Sequence, residues 1–287
     1  MMNAEHVTPD LRRWILRQVR EGHHADRILE VMRASGWNDA VALAAYEHTV
    51  DESASAVQKA APAVARRMAT AVPEPVLVEG AHEVDVDGHR LRVLASLYAP
   101  RVIVFGGVLS HAECDELVGL AQARLERSET VQVVTGASEV NASRTSEGMF
   151  FGRGENVLCA RIEARIAALL DWPVENGEGL QILRYAPGAQ YKPHYDYFDP
   201  AQPGTPEILK RGGQRVASLV MYLSSPQRGG ATVFPDAKLE ISPVKGNAVF
   251  FSYDCAHPST RTLHGGAPVL AGEKWVATKW LRQRRFE

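Results

Sequence analysis

Cysteine is scarce in this chain. The three that occur, Cys114, Cys159 and Cys255, lie far apart and form no CxxC pair. An odd number of widely separated cysteines argues against both a disulfide framework and a structural zinc site. We therefore expect the protein to work in a reducing compartment and predict a cytoplasmic location.

Long apolar runs and an excess of one charge are also lacking. No stretch reaches the roughly 18 apolar residues of a membrane helix, and the N-terminus has no apolar signal-peptide region. Lysine and arginine number 32 against 34 acidic residues, a net charge of -2 that offers no basic surface to nucleic acid or anionic lipid. With 287 residues, 45% of them hydrophobic, we expect one large globular domain alone or with a small appendage, and neither a membrane nor a nucleic-acid partner.

The first 50 residues predict a small all-α module. Thr8 and Pro9 form a typical helix start, and apolar residues then recur at helical spacing. A second amphipathic run ends at Gly36, and Asn38 is placed to cap a third short helix. We assign residues 1–50 to a three-helix module, with docking of a partner or dimerisation as its candidate roles.

A change in composition separates this module from the rest of the chain. Residues 51–75 are rich in Ala, Ser and Pro, which is compatible with a linker or a loosely packed helix, and we assign them as the linker between two domains. Residues 76–287 consist largely of short Val-, Ile- and Leu-rich runs divided by Gly, Pro and Asp, which are typical of strands and turns. The pattern predicts a mainly β domain with flanking helices, built as a sandwich or barrel.

Two helices are predicted to interrupt these strands. Ser110 and Asn156 are suitable N-cap residues, and each precedes an amphipathic segment. The apolar stripes that we expect to be buried are Cys114, Leu117, Leu120 and Ala121 on the first helix, and Val157, Ile162, Ile166 and Leu169 on the second.

The segment YKPHYDY contains the first candidate metal ligands. Residues two apart in an extended segment point to the same side, so His194 and Asp196 can face one ion. A His-x-Asp pair alone is common, and an exposed turn would explain it equally well. His264 in TLHGG, late in the same β region, supplies a third ligand and completes a two-histidine, one-carboxylate set. Such a set suits non-haem Fe(II), and it leaves coordination positions open for a chelating co-substrate and dioxygen.

Lys274 follows ten positions after His264, within a strand of Val, Trp and Ala. A lysine buried in such a strand is costly unless it meets an anion. The alternative is that Lys274 is a surface lysine on an edge strand. This interpretation is the weaker one, because three candidate metal ligands precede Lys274 in the sequence.

The motifs of the second domain, taken in order, resemble those of the prolyl 4-hydroxylase family of the 2-oxoglutarate and Fe(II)-dependent dioxygenases. The resemblance covers most of residues 100–283. It is carried by RVIVFGGVLSHAECDEL, SRTSEGMFF, EGLQILRYAPGAQYKPHYDYF, RVASLVMYLSSPQRGGATVFP and LHGGAPVLAGEKWVATKW. The fold that the resemblance implies is a double-stranded β-helix, or jelly roll.

The resemblance also implies roles for individual residues. His194, Asp196 and His264 match the iron ligands, and Lys274 matches the residue that binds the distal carboxylate of 2-oxoglutarate. Tyr185 matches a tyrosine that helps to bind the same co-substrate, although a hydrogen bond to a backbone carbonyl would also account for a buried tyrosine. The implied cofactors are Fe(II), 2-oxoglutarate and O2, with ascorbate as a candidate reductant.

Substrate residues are implied by the same comparison. Arg144, Glu178 and Arg215 fall where similar enzymes line a peptide groove, and structural salt bridges are the alternative explanation. Trp280 matches a tryptophan near the family's site, and a core position would explain it as well. Ala231 is a departure, because many relatives have Glu at this place in GGETVF.

The function that follows is hydroxylation of peptidyl proline at the 4-position, with release of succinate and carbon dioxide. Two alternatives stay open: the same oxygenase chemistry on a free amino acid or another side chain, and a non-catalytic peptide-binding jelly roll. A zinc hydrolase is less consistent, because it lacks a recognisable general base and leaves Lys274 unexplained.

Overall fold

The computed structural model describes residues 8–20, 25–50, 70–78, 80–127, 129–131, 138–140 and 145–287. The chain divides into two compact units, Met1–Arg67 and Met68–Glu287. Within the described ranges, no helix combines the length and the apolar character that crossing a bilayer requires. Most of the predicted linker, residues 51–69, lies outside the described residues.

The first unit is helical, as the sequence predicts. It contains α1 (Pro9–Arg20), α2 (Ala25–Ala34) and α3 (39–50). The Thr8 hydroxyl accepts a hydrogen bond from the backbone of α1, and the Asn38 side chain accepts one from the first turn of α3. A small core of its own lies between the helices, formed by Ile15, Ile28, Leu29, Met32, Ala42 and Ala45, with Leu11, Trp14, Trp37 and Tyr46 packed around it.

The second unit is mainly β. Its strands are β1 (Glu83–Val86), β2 (His89–Tyr98), β3 (Arg101–Gly106), β4 (Glu126–Arg127), β5 (Glu129–Val131), β6 (Ser138–Val140), β7 (Glu147–Phe151), β8 (Leu180–Tyr185), β9 (Tyr191–His194), β10 (Arg215–Tyr222), β11 (Arg228–Gly229), β12 (Thr232–Phe234), β13 (Leu239–Ile241), β14 (Ala248–Ser252), β15 (His264–Gly266), β16 (Val269–Ala271) and β17 (Lys274–Arg282). Its helices are α4 (His111–Gln122), α5 (Val157–Leu170) and α6 (Thr205–Lys210), with short 3-10 turns at Val174–Asn176, Pro235–Ala237 and Pro258–Thr260.

Two antiparallel sheets form the jelly roll. The larger has nine strands in the order β1-β2-β3-β14-β10-β17-β8-β7-β4, and the smaller has four in the order β13-β12-β15-β9. Two further pairs, β11-β16 and β5-β6, extend the structure. The predicted double-stranded β-helix is therefore confirmed, with non-consecutive strands such as β10 and β17 adjacent at its centre.

Successive side chains of the central strands point to opposite faces of the larger sheet, and both of these faces are buried. Ala217 and Leu219 of β10 belong to a core shared with α4 and α5. Tyr222 of the same strand belongs to the core between the two sheets, and Val220 packs against that core. The candidate site lies on this second, inner face.

The two predicted helices form with the predicted caps. Ser110 and Glu113 make a reciprocal capping box on α4, and Asn156 caps α5. Two residues of the expected stripes are not buried, and these expectations were wrong. Leu120 is 44% exposed because it lies at the edge of the α4 stripe, and Val157 is 81% exposed because it is the first residue of α5.

The end of the predicted linker is attached to the second unit. The Thr70 amide donates to the Asp254 carbonyl at 2.9 Å, and the Thr70 hydroxyl accepts from the Gln283 side chain at 3.3 Å. The Arg101 Nε donates to Glu74 at 2.9 Å. Residues 70–75 are thus held by the β domain.

Candidate metal and co-substrate site

Strand pairing brings the three candidate ligands together. β9 ends at His194 and β15 begins at His264, and the two residues lie directly opposite each other in the antiparallel register. Asp196 follows β9 two residues after His194. Its Oδ1 lies 3.5 Å from His194 Nε2, and its Oδ2 lies 3.5 Å from His264 Nε2. One ligand atom from each residue falls within 4.8 Å of the others.

Both imidazole rings are oriented by their own strands. His194 Nδ1 lies 3.0 Å from the Lys192 carbonyl, and His264 Nδ1 lies 2.9 Å from the Thr262 carbonyl. A carbonyl only accepts, so Nδ1 carries the proton in each ring and Nε2 keeps its lone pair. The ring orientation and the tautomer that a metal ligand needs are therefore already present.

The protonation states also suit a cation. Burial lowers the pKa of His264 to about 4, which leaves the imidazole neutral at neutral pH. Burial works to raise the pKa of Asp196, but His264 and His194 beside it outweigh that effect and hold the pKa well below its usual value. Two imidazoles and one carboxylate fit Fe(II) in a facial arrangement.

Lys274 borders the same cavity as these ligands. It is opposite Tyr185 in the pairing of β17 with β8, and only 4% of it is exposed. Its Nζ lies 5.6 Å from the ring centroid of Tyr185 and 5.8 Å from that of Tyr222, and it makes no hydrogen bond or ion pair with any described residue. Burial lowers its pKa to about 8. A buried ammonium group without an internal anion is suited to bind a carboxylate.

The cavity itself is small, about 50 Å³. Tyr185 and Thr232 contribute to its wall together with the three candidate ligands and Lys274. The Tyr185 hydroxyl makes no hydrogen bond with the described residues, so the structure does not support the backbone-carbonyl explanation. It remains available to a ligand in the cavity.

A larger groove of about 880 Å³ borders the cavity. Tyr191, His194, Asp196 and Trp280 line both spaces. Tyr191 stacks on His194, with ring centroids 3.7 Å apart. Other aromatic residues along the groove are Phe150, Tyr195, Tyr197 and Phe198.

The residues that the family resemblance places in a peptide groove have different surroundings. Arg215 lines the groove and lies over the Trp280 ring, 3.8 Å from its centroid. Glu178 is not part of the groove lining. It receives two hydrogen bonds from Arg215, at 2.7 and 2.9 Å, and one from Arg282 at 3.1 Å. These ion pairs explain the burial of Glu178, while Arg144 lies outside the described residues.

Trp280 is more than a core aromatic, because it borders both the cavity and the groove. Its Nε1 is buried without a hydrogen-bond partner among the residues described. Ala231 accepts a backbone hydrogen bond from Ala267 at 2.8 Å.

Several residues of the site are not evident from the sequence. Thr232 is buried beside the cavity, and its hydroxyl accepts a hydrogen bond from Tyr222 at 2.8 Å, which leaves its own proton available for a ligand. Ser218 and Tyr253 form a hydrogen-bonded pair next to Asp196. Hydroxyl residues in strands have no distinctive spacing, so only the three-dimensional structure identifies them.

Known proteins define the class to which this fold and site belong. Residues 180–282 match the family described as the 2OG-Fe(II) oxygenase superfamily, a range that contains all three candidate ligands and Lys274. The chain is an Fe(II)- and 2-oxoglutarate-dependent dioxygenase.

Within that class, the chain belongs to the prolyl 4-hydroxylase family. It is 42% identical over 205 residues to Prolyl 4-hydroxylase 1 of Arabidopsis thaliana, covering 65% of this chain and 70% of that protein. It is 38% identical over 211 residues to Prolyl 4-hydroxylase 2 of the same plant, covering 66% and 69%. Among solved structures, the 2OG complex of the viral collagen prolyl hydroxylase vCPH from Paramecium Bursaria Chlorella virus-1 is 33% identical, with a TM-score of 0.49, covering 63% of this chain and 95% of that one.

Proposed function

We propose that the protein hydroxylates a prolyl residue of a peptide or protein at the 4-position. The observation that carries this proposal is the aromatic-lined groove, which is bordered by two of the three candidate iron ligands, His194 and Asp196. Grooves lined with aromatic rings accommodate the preformed polyproline II helix of proline-rich segments. The names of the Arabidopsis relatives support the same substrate class.

The size of the groove favours a polypeptide over a free amino acid. Binding sites for drug-sized ligands, which are much larger than proline, typically have volumes of roughly 300 to 1,000 Å³. The groove volume of about 880 Å³ lies near the upper end of this range. A single amino acid would leave most of the aromatic wall uncovered. A peptide of several residues would cover it and present one ring to the metal site.

Each residue of the site has a role in this proposal. His194 and His264 would bind iron through Nε2, and Asp196 would bind it through a carboxylate oxygen. When bound, the iron supplies activation of dioxygen, which couples the conversion of 2-oxoglutarate to succinate and CO2 with insertion of one oxygen atom into a C–H bond.

The remaining residues bind and orient the co-substrate. Lys274 would pair with its distal carboxylate, and the hydroxyl groups of Tyr185 and Thr232 would donate hydrogen bonds in the same cavity. The rings of Tyr191 and Trp280 exclude water between the cavity and the groove. Arg215, held by Glu178, would offer its remaining N–H groups to the peptide backbone.

The proposal extends to the conditions in which the enzyme works. We assign ascorbate as the external reductant, on the strength of the family resemblance alone. A reducing, cytoplasmic location is supported by the three cysteines, which are all free. The N-terminal three-helix unit would act in docking a protein substrate or in dimerisation, since it has a core of its own and contains none of the site residues.

The test uses the full chain with Fe(II), 2-oxoglutarate, ascorbate and a set of proline-rich peptides in air. Mass spectrometry should show a gain of one oxygen atom per modified peptide, and acid hydrolysis should release 4-hydroxyproline. Succinate should form in equal molar amount.

Matched peptides and a matched variant make the result specific. Peptides with each proline replaced by alanine should gain no oxygen, and His264→Ala should yield neither product. Rapid succinate formation with free proline or another amino acid, and none with any peptide, would refute the prolyl peptide as substrate while leaving the oxygenase chemistry in place.

A further inference from the structure

Ser218 occupies an unusual position on the inner face of β10. Of the next inward-facing residues of the strand, Tyr222 is part of the core between the sheets and Val220 packs against that core. Ser218 itself is 0% exposed. A hydroxyl group in such a place is costly to bury unless it is hydrogen-bonded, and an apolar residue would cost nothing.

The hydroxyl group has two partners, and both are buried. Ser218 Oγ lies 2.5 Å from Asp196 Oδ2 and 2.9 Å from the hydroxyl oxygen of Tyr253. The ionised carboxylate can only accept, so the single Ser218 proton is donated to Asp196. The Tyr253 hydroxyl must then donate to Ser218 Oγ. The hydrogen bonds therefore run in one direction, from Tyr253 through Ser218 to the carboxylate.

This direction distinguishes the two oxygens of Asp196. Oδ2 accepts a short hydrogen bond, while Oδ1, on the His194 side, receives none from the hydroxyl groups of the described residues. A carboxylate held in this way offers one oxygen to a cation in preference to both. Binding through one oxygen preserves coordination positions that a chelating co-substrate and dioxygen require.

We propose that Ser218 and Tyr253 are positioning residues for the iron site: a two-hydroxyl relay that occupies Asp196 Oδ2 and presents Oδ1 alone to the metal. The relay concerns the Fe(II) site and does not depend on the identity of the substrate. Failure of the prolyl hydroxylation assay would therefore leave it intact, and its own failure would leave the proposed substrate intact.

The relay is tested by binding of Co(II) alone to the full chain, followed by the visible absorption of the ion, which reports its coordination. The variants are Ser218→Ala, Tyr253→Phe and the double variant, and Ser252→Ala is the control. Ser252 is a buried serine on the neighbouring strand β14, and the hydroxyl hydrogen bond that Asp196 receives within the described part of the chain comes from Ser218 instead.

Ser218→Ala should weaken Co(II) binding by about tenfold or more and change the absorption spectrum, because the carboxylate is no longer oriented. Tyr253→Phe should have a smaller effect of the same kind. Adding Tyr253→Phe to Ser218→Ala should have no further effect, because the tyrosine acts through the serine. Ser218→Thr, which keeps the hydroxyl group, should restore most of the affinity.

Two results would overturn the proposal. Wild-type Co(II) affinity and spectrum in Ser218→Ala would show that Asp196 needs no such support. A relay would also be excluded if Tyr253→Phe weakened Co(II) binding as much in the Ser218→Ala background as in the wild-type protein. Should Ser218→Ala fail to fold, Tyr253→Phe removes one oxygen atom and keeps the ring, and an unchanged spectrum in that variant would refute the relay by itself.

Discussion

Two lysines of strand β17 are buried to almost the same extent, but only one of them has an anionic partner among the described residues. Lys274, at the start of the strand, is 4% exposed, and Lys279, near its end, is 2% exposed. Lys279 is bonded to the Glu163 carboxylate and to the Glu178 carbonyl. Lys274 has no anionic partner among the described residues.

Lys279 is thus a structural charge, whereas we propose that the charge of Lys274 serves a ligand. Burial lowers the pKa of both lysines, but only Lys279 has a carboxylate that opposes this effect. A protein retains an uncompensated buried ammonium group at a cost in stability. In the proposed function, that cost at Lys274 would be offset when 2-oxoglutarate brings its own carboxylate into the cavity.

The largest effect on activity is expected from substitution of a candidate metal ligand, which lies in the same cavity as Lys274. His264→Ala should abolish turnover of 2-oxoglutarate and weaken iron binding, because two ligands cannot maintain the facial geometry. Succinate formation measures the first effect, and metal titration measures the second. The fold should remain largely intact by circular dichroism, and near-normal succinate formation would remove His264 from the ligand set.

The largest effect on stability is expected at Lys279. Lys279→Met leaves the Glu163 carboxylate buried without a cation and should lower the free energy of unfolding by about 3 to 5 kcal/mol. Urea denaturation measures this loss. The KM for 2-oxoglutarate should not change in the folded fraction, and Glu163→Leu in the same chain should recover most of the stability. A change in KM without a loss of stability would reverse the roles assigned to the two lysines.

The matched change at Lys274 should give the opposite pattern. Lys274→Met should raise the KM for 2-oxoglutarate by roughly tenfold or more, since a charge-assisted contact to a carboxylate is worth about 1.5 to 3 kcal/mol. The stability of the ligand-free protein should not fall, because no internal bond is lost. Lys274→Arg should restore the KM only in part, as guanidinium is larger and planar. An unchanged KM would assign anion binding to another residue.

A smaller effect is expected in the pH dependence of stability. The pKa of Lys274 is about 8 in the folded protein against an ordinary value of 10.5. Between these values the unfolded chain binds a proton that the folded chain has lost, so stability should rise with pH across this window. Subtracting the urea-derived stability of Lys274→Met from that of the wild type, without 2-oxoglutarate, should isolate this rise. A flat difference from pH 8 to 10 would show that the ammonium group is not desolvated.

The smallest effect is expected from removing the N-terminal unit. A chain that begins at Met68 keeps the contacts of Thr70 with Asp254 and Gln283 and should turn over 2-oxoglutarate with a short peptide at close to the full rate. Activity on a whole protein substrate should fall if the unit recruits it. Precipitation or loss of iron would show that the helices contribute to the β domain.

Local patterns in the sequence predict much of this structure. The caps at Ser110 and Asn156 and the strand runs depend on neighbouring residues, and the two-residue spacing of His194 and Asp196 is equally local. The exposure of Leu120 and Val157 was not predicted, because periodicity identifies a stripe but not its edges or the point where a helix leaves the core.

Properties that depend on distant partners were not predictable from the sequence. Lys274 and Lys279 have similar neighbours along the chain, and only the approach of Glu163, 116 positions away, distinguishes them. Ser218 is 22 positions from Asp196 and 35 from Tyr253, which directly follows β14, so only the fold brings the three members of the relay together. The resemblance to known enzymes supplied candidate roles, while the structure showed that Glu178 is satisfied by Arg215 and Arg282.

The wall shared by the cavity and the groove limits how the enzyme can be retargeted. Four residues border both spaces: Tyr191, His194, Asp196 and Trp280. In the proposed function, a substitution at any of them would alter the fit of both substrates at once, so a gain in selectivity for one polypeptide would be offset by a poorer fit of the co-substrate. Divergence toward new targets would then be confined to residues that line the groove and not the cavity, such as Phe150, Ile208 and His257. Substitutions at these residues, which line only the groove, would be expected to change selectivity for the polypeptide without changing the oxidative chemistry.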